Sequence, residues 1–361
     1  MLDFVIEKAS VWECLEHTTK PIVLYGMGNG ADKILNWCEE HGVKVQGVFA
    51  SDEFVRGQAF RGFTVERYDA IKERLGQELL VVIAFASERP EVLERFAQLA
   101  AEQEVVAPHL PLFEESETVS LAWLAKHAEA LQDVYERLAD EQSRKVFANT
   151  LNYKLSGKIN YLFECTTKRE ADLRELIAPS QEECYLDLGA YNGDTIQELG
   201  RLANWQWQQV VAVEPDRRNC RKLRVLAEEL QQCGLAVEVH EAGIWDRKGE
   251  ISFSDSGGRQ STFVGAAKRV VPVTTIDAVA AGRPISYIKM DVEGAEVQAL
   301  QGGAMTIARC QPKLFVAAYH YDADLFRLPQ MLWQLVPAYK LYLRKHPYVP
   351  AWELNFIALR E

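Results

Sequence analysis

The chain has 361 residues, enough for two domains that each bury a core, and its 48% hydrophobic and 25% charged content fit an ordinary soluble globular protein. A formal net charge of −12 argues against non-specific binding to nucleic acid or to an anionic membrane. Seven cysteines, an odd number with no Cys-x-x-Cys, read as reduced thiols of a cytoplasmic protein, and Asp3 and Glu7 with no long apolar run leave no signal peptide or membrane span.

A short amphipathic helix opens the chain, and Pro21-Ile-Val-Leu-Tyr25 reads as a buried strand. The turn Gly26-Met-Gly-Asn-Gly-Ala31 leads into a helical pattern from Asp32 to about His41, then a strand from Val43 to Phe49 with Asp52 just beyond it. Leu79–Ala84 predicts another buried strand, Glu88–Glu102 a helix, and Val105-Val-Ala a last short strand. Residues 1–115 are therefore expected to form a small Rossmann-like α/β domain. Its glycines have two readings, a nucleotide or sugar-nucleotide site at Gly26, Gly28 and Asp52, or the needs of a tight turn, and a lone glycine fingerprint does not choose between them.

Residues 116–180 change to helical spacing, with Leu121, Leu124, Leu131, Val134 and Leu138 in register, interrupted by Ala148–Ser156. This segment reads as a helical connector that packs on the following domain and covers its cleft. Tyr153, Lys154 and Tyr161 are cleft candidates, with packing the commoner role for such residues.

From residue 181 to 361, strands expected near 183–188, 209–214, 235–240, 285–290 and 313–319 alternate with helices, the pattern of a doubly wound sheet. The first ends in Asp187 and turns through Gly189 and Gly193 into a helix at Asp194; glycines there let a ligand approach the backbone and aim the helix N-terminus at it. The second ends in Glu214, about 20 residues on, where a carboxylate can take both hydroxyls of a ribose. An acid followed by Gly-x-x-x-Gly, in place of Gly-x-Gly-x-x-Gly, favours S-adenosylmethionine (SAM) over a dinucleotide. Lys289–Asp291 and Tyr319–His320 bring further polar groups to the same sheet edge. Tyr339–Leu343 and Glu353–Ala358 read as a closing antiparallel pair.

Leu186-Asp-Leu-Gly-Ala-Tyr-Asn-Gly-Asp-Thr195, Val213-Glu-Pro-Asp216 and Ile288-Lys-Met-Asp-Val-Glu-Gly-Ala-Glu296 resemble the FkbM family of SAM-dependent methyltransferases. Glu241-Ala-Gly-Ile-Trp245 is similar to that family's segment beside the adenine, Gln260-Ser-Thr262 to its serine-bearing loop, and Tyr319-His-Tyr-Asp-Ala-Asp324 to one of its branches. The likeness covers residues 150–361 and implies a class I methyltransferase sheet, with methyl transfer to a hydroxyl of a sugar or small metabolite. It implies that Asp187, Gly189 and Gly193 contact the methionine part of the cofactor and Glu214 the ribose. Tyr191, Asn192, Asp194, Thr195, Pro215, Gly243 and Ile244 complete the expected cofactor set. Ala317-Ala318 departs from relatives that carry an acid there, against a metal site that would depend on that acid.

An alcohol is a weak nucleophile at neutral pH, so a base is needed, and Asp291 and His320 are the catalytic candidates. Asp291 also reads as the N-cap of a helix starting at Val292, His320 as a hydrogen-bonded pocket wall, and Lys289 as a partner of Glu293 or Glu296. Asp291, Glu293 and His320 are types that could hold a divalent cation, though no spacing demands one and no metal is assigned. Trp205 and Trp207 read as sheet-edge packing. The expected partner is a small-molecule methyl acceptor, a sugar or sugar nucleotide among the options, with neither nucleic acid nor membrane and with a homodimer left open. Two alternatives remain: a nucleotide- or sugar-nucleotide-binding protein with a degenerate transferase domain, and an NAD-dependent oxidoreductase.

Overall fold

The computed structural model describes residues 2–113, 116–253 and 269–360. Strands β1 (Ile22–Tyr25), β2 (Val45–Phe49), β3 (Ala59–Phe60), β4 (Phe63–Glu66), β5 (Leu80–Ile83) and β6 (Glu104–Val106) form one sheet in the order β3-β4-β2-β1-β5-β6. All its neighbours run parallel except the β3–β4 hairpin. Every residue of β1 and β5 is buried, which is why these central strands read as unbroken apolar runs. The helices Asn29–Glu40 and Pro90–Glu102 cover them with Ile34, Leu35, Phe96 and Leu99, and Pro90 sits in the first turn, where no N–H is needed. The hairpin is absent from the sequence expectation because its strands are short and bury only Val65 fully, so they carry no hydrophobic period.

The helices Leu121–Lys126, Ala128–Arg137, Glu141–Ser156 and Asn160–Cys165 follow. The expected interruption at 148–156 does not occur, because those residues are the second half of one helix. Asp140 caps it by accepting from Ser143 N at 2.8 Å, and Gly157, at φ 69°, ends it. Of the polar residues that broke the pattern, Asn152, Lys154 and Ser156 are buried with partners. Asn152 accepts from the backbone N–H groups of Ile6 and Glu7 at 2.8 and 3.1 Å, and donates to Phe4 O at 2.9 Å. Lys154, with its side chain fully buried, donates to Asp322 at 2.5 Å. Tyr153 is buried as well, while the Tyr161 hydroxyl donates to Glu7.

The second sheet contains β7 (Cys184–Leu188), β8 (Gln209–Glu214), β9 (Val237–Glu241), β13 (Tyr287–Met290), β14 (Lys313–Ala317), β15 (Tyr339–Lys345) and β16 (Leu354–Arg360), ordered β15-β16-β14-β13-β7-β8-β9. The five strands from β14 to β9 are parallel, and β16 and β15 close the opposite edge antiparallel. A small sheet of β10 (Gly243–Ile244), β11 (Gly249–Phe253) and β12 (Arg269–Thr274) stands apart and was not read from the sequence. The chain winds outward in both directions from β7 and β13, so the strand order switches there, where open α/β sheets place ligands. Asp187 pairs with Lys289 across this boundary, and Leu188 with Met290. No helix among the described residues is long and apolar enough to cross a membrane.

Candidate functional site

The site is built on strand ends. Beyond β7 the chain turns at Gly189 (φ 76°), because a Cβ there would lie 1.8 Å from the Asp291 carbonyl oxygen beyond β13. Tyr191 also takes a left-handed conformation, φ 46°, and the helix Asp194–Leu202 starts at Gly193. Glu214, at the end of β8, accepts from Tyr191 N at 2.9 Å with one oxygen and from Asp216 N at 2.8 Å with the other. Burial pushes its carboxyl up to about 7, although these N–H groups favour the charged form. Asp216 then caps the helix Arg217–Gln232.

A cleft of about 720 Å³ opens over these ends. Gly189, Tyr191, Asp194, Thr195, Glu214, Pro215, Gly243, Ile244 and Asp291 all line it. Asp187, Asn192 and Gly193 do not, which changes the expectation that they contact a cofactor directly. Asp187 is fully buried, accepting from the Thr195 hydroxyl and standing 3.6 Å from the Lys289 ammonium. It shapes the turn from beneath. Gly193 packs on Leu226 and Leu223, and Asn192 Oδ1 is buried. Lys289 therefore pairs with Asp187 and donates to Gly189 O at 2.7 Å, away from the expected partners Glu293 and Glu296. Burial lowers the lysine pKa, but Asp187 and Asp291 outweigh it and hold the ammonium above its ordinary range.

Asp291 follows β13, but the next helix starts at Glu296, so Asp291 is not its cap. Residues 291–295 form a loop in which Glu293 has φ 54° and Glu296 accepts from Val292 N at 3.0 Å. The Tyr319 hydroxyl donates to Asp291 at 3.1 Å. The His320 side chain is fully buried and does not line the cleft, so no acceptor can sit between it and Asp291. Its ring nitrogens lie 3.1 Å from Glu296, 3.3 Å from Glu293 and 3.7 Å from Asp291. Burial would remove the ring proton, yet these carboxylates hold its pKa well above the ordinary imidazole range. Asp324 nearby is pushed up to about 7 by burial and then by Glu296. Asp291, Glu296 and His320 each offer a ligand atom within 4.8 Å of the others, a donor set suited to a divalent cation. It differs from the trio considered in the sequence by Glu296 in place of Glu293.

Other lining residues had no local signal. Asn219, Arg169, Glu198, Phe315, Trp352 and Asn355 line the same cleft from segments far apart in the chain. In the first sheet the ring of Phe85 occupies the space over Gly26, where a Cβ would meet it at 2.7 Å, and a Cβ on Gly30 would lie 2.3 Å from Ala84 O. Those two glycines serve strand-to-helix packing. Asp52 lies in a short 3₁₀ turn, and Ser51 shares a 2.6 Å hydrogen bond with the Tyr25 hydroxyl. Trp207 is buried, and Trp205 packs over Gly200. The loop at Gln260-Ser-Thr262 lies outside the described residues.

Residues 187–348 match the family model described as the methyltransferase FkbM domain. The crystal structure of methyltransferase FkbM from Methylobacillus flagellatus KT has the same fold, with a TM-score of 0.74 at 20% identity over 99% of this chain and 95% of that one. Precorrin-6y C5,15-methyltransferase from Geobacter metallireducens GS-15 has a TM-score of 0.33 at 12% identity over 54% of this chain and 92% of that one. Aeropyrum pernix fibrillarin, in complex with natively bound S-adenosyl-L-methionine, also has a TM-score of 0.33 at 12% identity, over 53% and 73%. No curated protein matches the chain.

Proposed function

From the premise that the C-terminal part of this chain is a methyltransferase FkbM domain, and the protein a SAM-dependent methyltransferase, we propose that it methylates a hydroxyl oxygen of a sugar or another small metabolite. The cleft fits the cofactor on two grounds. Glu214 presents a carboxylate whose two oxygens are fixed by backbone N–H groups, and the glycine turn beside it brings backbone and a helix start to the cleft wall. SAM supplies a methyl group on a positively charged sulfur, already activated for transfer.

In this reading Glu214 takes the ribose hydroxyls, and Gly189, Asp194 and Thr195 hold the methionine end. Gly243 and Ile244 flank the base, with Tyr191 and Pro215 completing the walls. Asp187, Asn192 and Gly193 keep the turn in shape. Aligning donor and acceptor can contribute about 7–11 kcal/mol in the best cases. The remaining task is removal of the hydroxyl proton, worth roughly 10²–10⁴-fold.

Asp291 is the observation that carries the proposal. Its side chain is 30% exposed on the cleft wall, at the strand-order switch, and steadied by the Tyr319 hydroxyl. His320 acts from behind as a positioning residue that fixes the acidic loop. Asp291→Asn keeps size and removes charge, so SAM affinity should stay near wild type while transfer falls roughly 10²–10⁴-fold. Calorimetry with a single-turnover assay would check both numbers. Undiminished transfer by the variant would remove Asp291 as the base.

A further inference from the structure

The cleft extends past the residues assigned to the cofactor, and its far wall belongs to two domains. The loop after β5 crosses from the first sheet: Ser87 N donates to Val349 O at 2.8 Å and Val349 N to Ser87 O at 3.0 Å. Glu88 thereby lines the same cleft as Tyr348, Trp352 and Asn355. The fully buried Lys345 fixes this loop, donating to His346 O and Tyr348 O at 2.7 Å each.

Three features of this wall point to one ligand chemistry. The rings of Tyr348 and Trp352, 5.3 Å apart, offer apolar faces. Trp352 Nε1 and Asn355 Nδ2 are donors buried in the wall with no hydrogen-bond partner among the described residues, and Asn355 is only 3% exposed. Such donors favour a neighbouring acceptor oxygen. The third feature is charge, since among the described residues eight carboxylate side chains line the cleft against three cationic ones, Arg169, Arg201 and Lys289. Of the cations, Arg169 is already held by Glu198 at 2.9 Å and Glu353 at 3.3 Å, and Lys289 by Gly189 and Asp187.

We propose that Glu88, Tyr348, Trp352 and Asn355 form the acceptor subsite, and that it takes a neutral or amine-bearing cyclic polyol without phosphate. The inference rests on the reading of the protein as a methyltransferase acting on a small-molecule hydroxyl. The rings cover a C–H face, the indole and amide donors meet hydroxyl or ring oxygens, and Glu88 accepts from a hydroxyl or an ammonium. A phosphate or nucleotide diphosphate would bring anionic charge into an acidic wall. The Rossmann-like domain thus contributes to acceptor choice through its β5 loop, and the glycine turn after β1 is not the part that binds.

The test uses the full chain saturated with S-adenosylhomocysteine, so that no transfer occurs. Methyl glucoside, glucosamine, glucose 6-phosphate and UDP-glucose are titrated while the Trp352 indole N–H is followed by NMR, assigned through Trp352→Phe. The neutral or amine-bearing probe should move that resonance, with the phosphorylated probes at least ~10-fold weaker, as expected for one unfavourable charge contact. Glu88→Gln should reduce any preference for the amine. Equal or tighter binding of a phosphorylated probe, or no probe moving the resonance, overturns the subsite. The parent reading fails separately, when labelled methyl from SAM appears on an atom other than a hydroxyl oxygen.

Discussion

At the residue scale Glu214 gives the sharpest expectation, because burial leaves its carboxyl pKa at about 7. Accepting two ribose hydroxyls requires the charged form, so at pH values under this pKa cofactor binding must expel a proton. Affinity for S-adenosylhomocysteine should therefore rise about tenfold per unit on approaching that pH and flatten above it. In the free protein the sign is opposite. The raised pKa means the folded state binds more protons than the unfolded one between the ordinary carboxyl value and the folded one, so stability falls across that interval as pH rises. Glu214→Ala should weaken binding roughly 10- to 150-fold and abolish the pH slope. Calorimetry across pH would show both, and a slope that survives the substitution would place the titrating group elsewhere. Glu214 and Asp291 were legible in the sequence because each ends an apolar strand run. Trp352 and Asn355 were not, since they reach the cleft from beyond a non-repetitive loop, and only the register of β16 brings them there.

Glycine turns mark the difference between elements that look alike in the sequence. Gly28 has φ −127° and open space where a methyl would go, whereas Gly26 (φ 118°) and Gly189 (φ 76°) sit against Phe85 and the Asp291 carbonyl. Gly28→Ala should stay within about 1 kcal/mol of wild type, while Gly26→Ala and Gly189→Ala should each lose at least about 1–3 kcal/mol from backbone strain alone. Chemical denaturation would rank the three, and a Gly28→Ala as damaging as Gly26→Ala would contradict the packing account. The central strands and longer helices of both sheets were readable because each buries a continuous or periodic apolar set. What escaped reading was polar or short. The buried Thr150, Asn152 and Ser156 made half a helix look like a loop, β10 has only two residues, and β12 carries Pro272, which reads as a strand breaker. The helix expected at Val292 starts four residues later because Glu293 is left-handed there.

On the scale of the whole molecule, the two sheets and the helices between them meet at Asp322, two residues beyond His320. Its carboxylate accepts from His109 at 2.8 Å, from Lys154 at 2.5 Å and from Val119 N at 2.8 Å, drawing on three separate segments. Burial alone would raise its pKa, but His109 and Lys154 hold it far below the usual carboxylate range. The lowered value gives a contribution present above the unfolded-state pKa and lost only as pH falls through the folded one, so this tie persists into strong acid. Buried pairs of this kind are expensive to halve. Asp322→Asn leaves the Lys154 ammonium without a counter-charge in a site closed to water, and should cost about 3–5 kcal/mol. Removing both charges together, as Asp322→Leu with Lys154→Met, should recover part of that loss, because the penalty of the single variant is mostly an uncompensated charge. If the double variant is as unstable as the sum of the two single ones, the lysine and aspartate act independently and the tie is not what joins the sheets. If Asp322→Asn unfolds at wild-type denaturant, the junction is held by apolar packing alone.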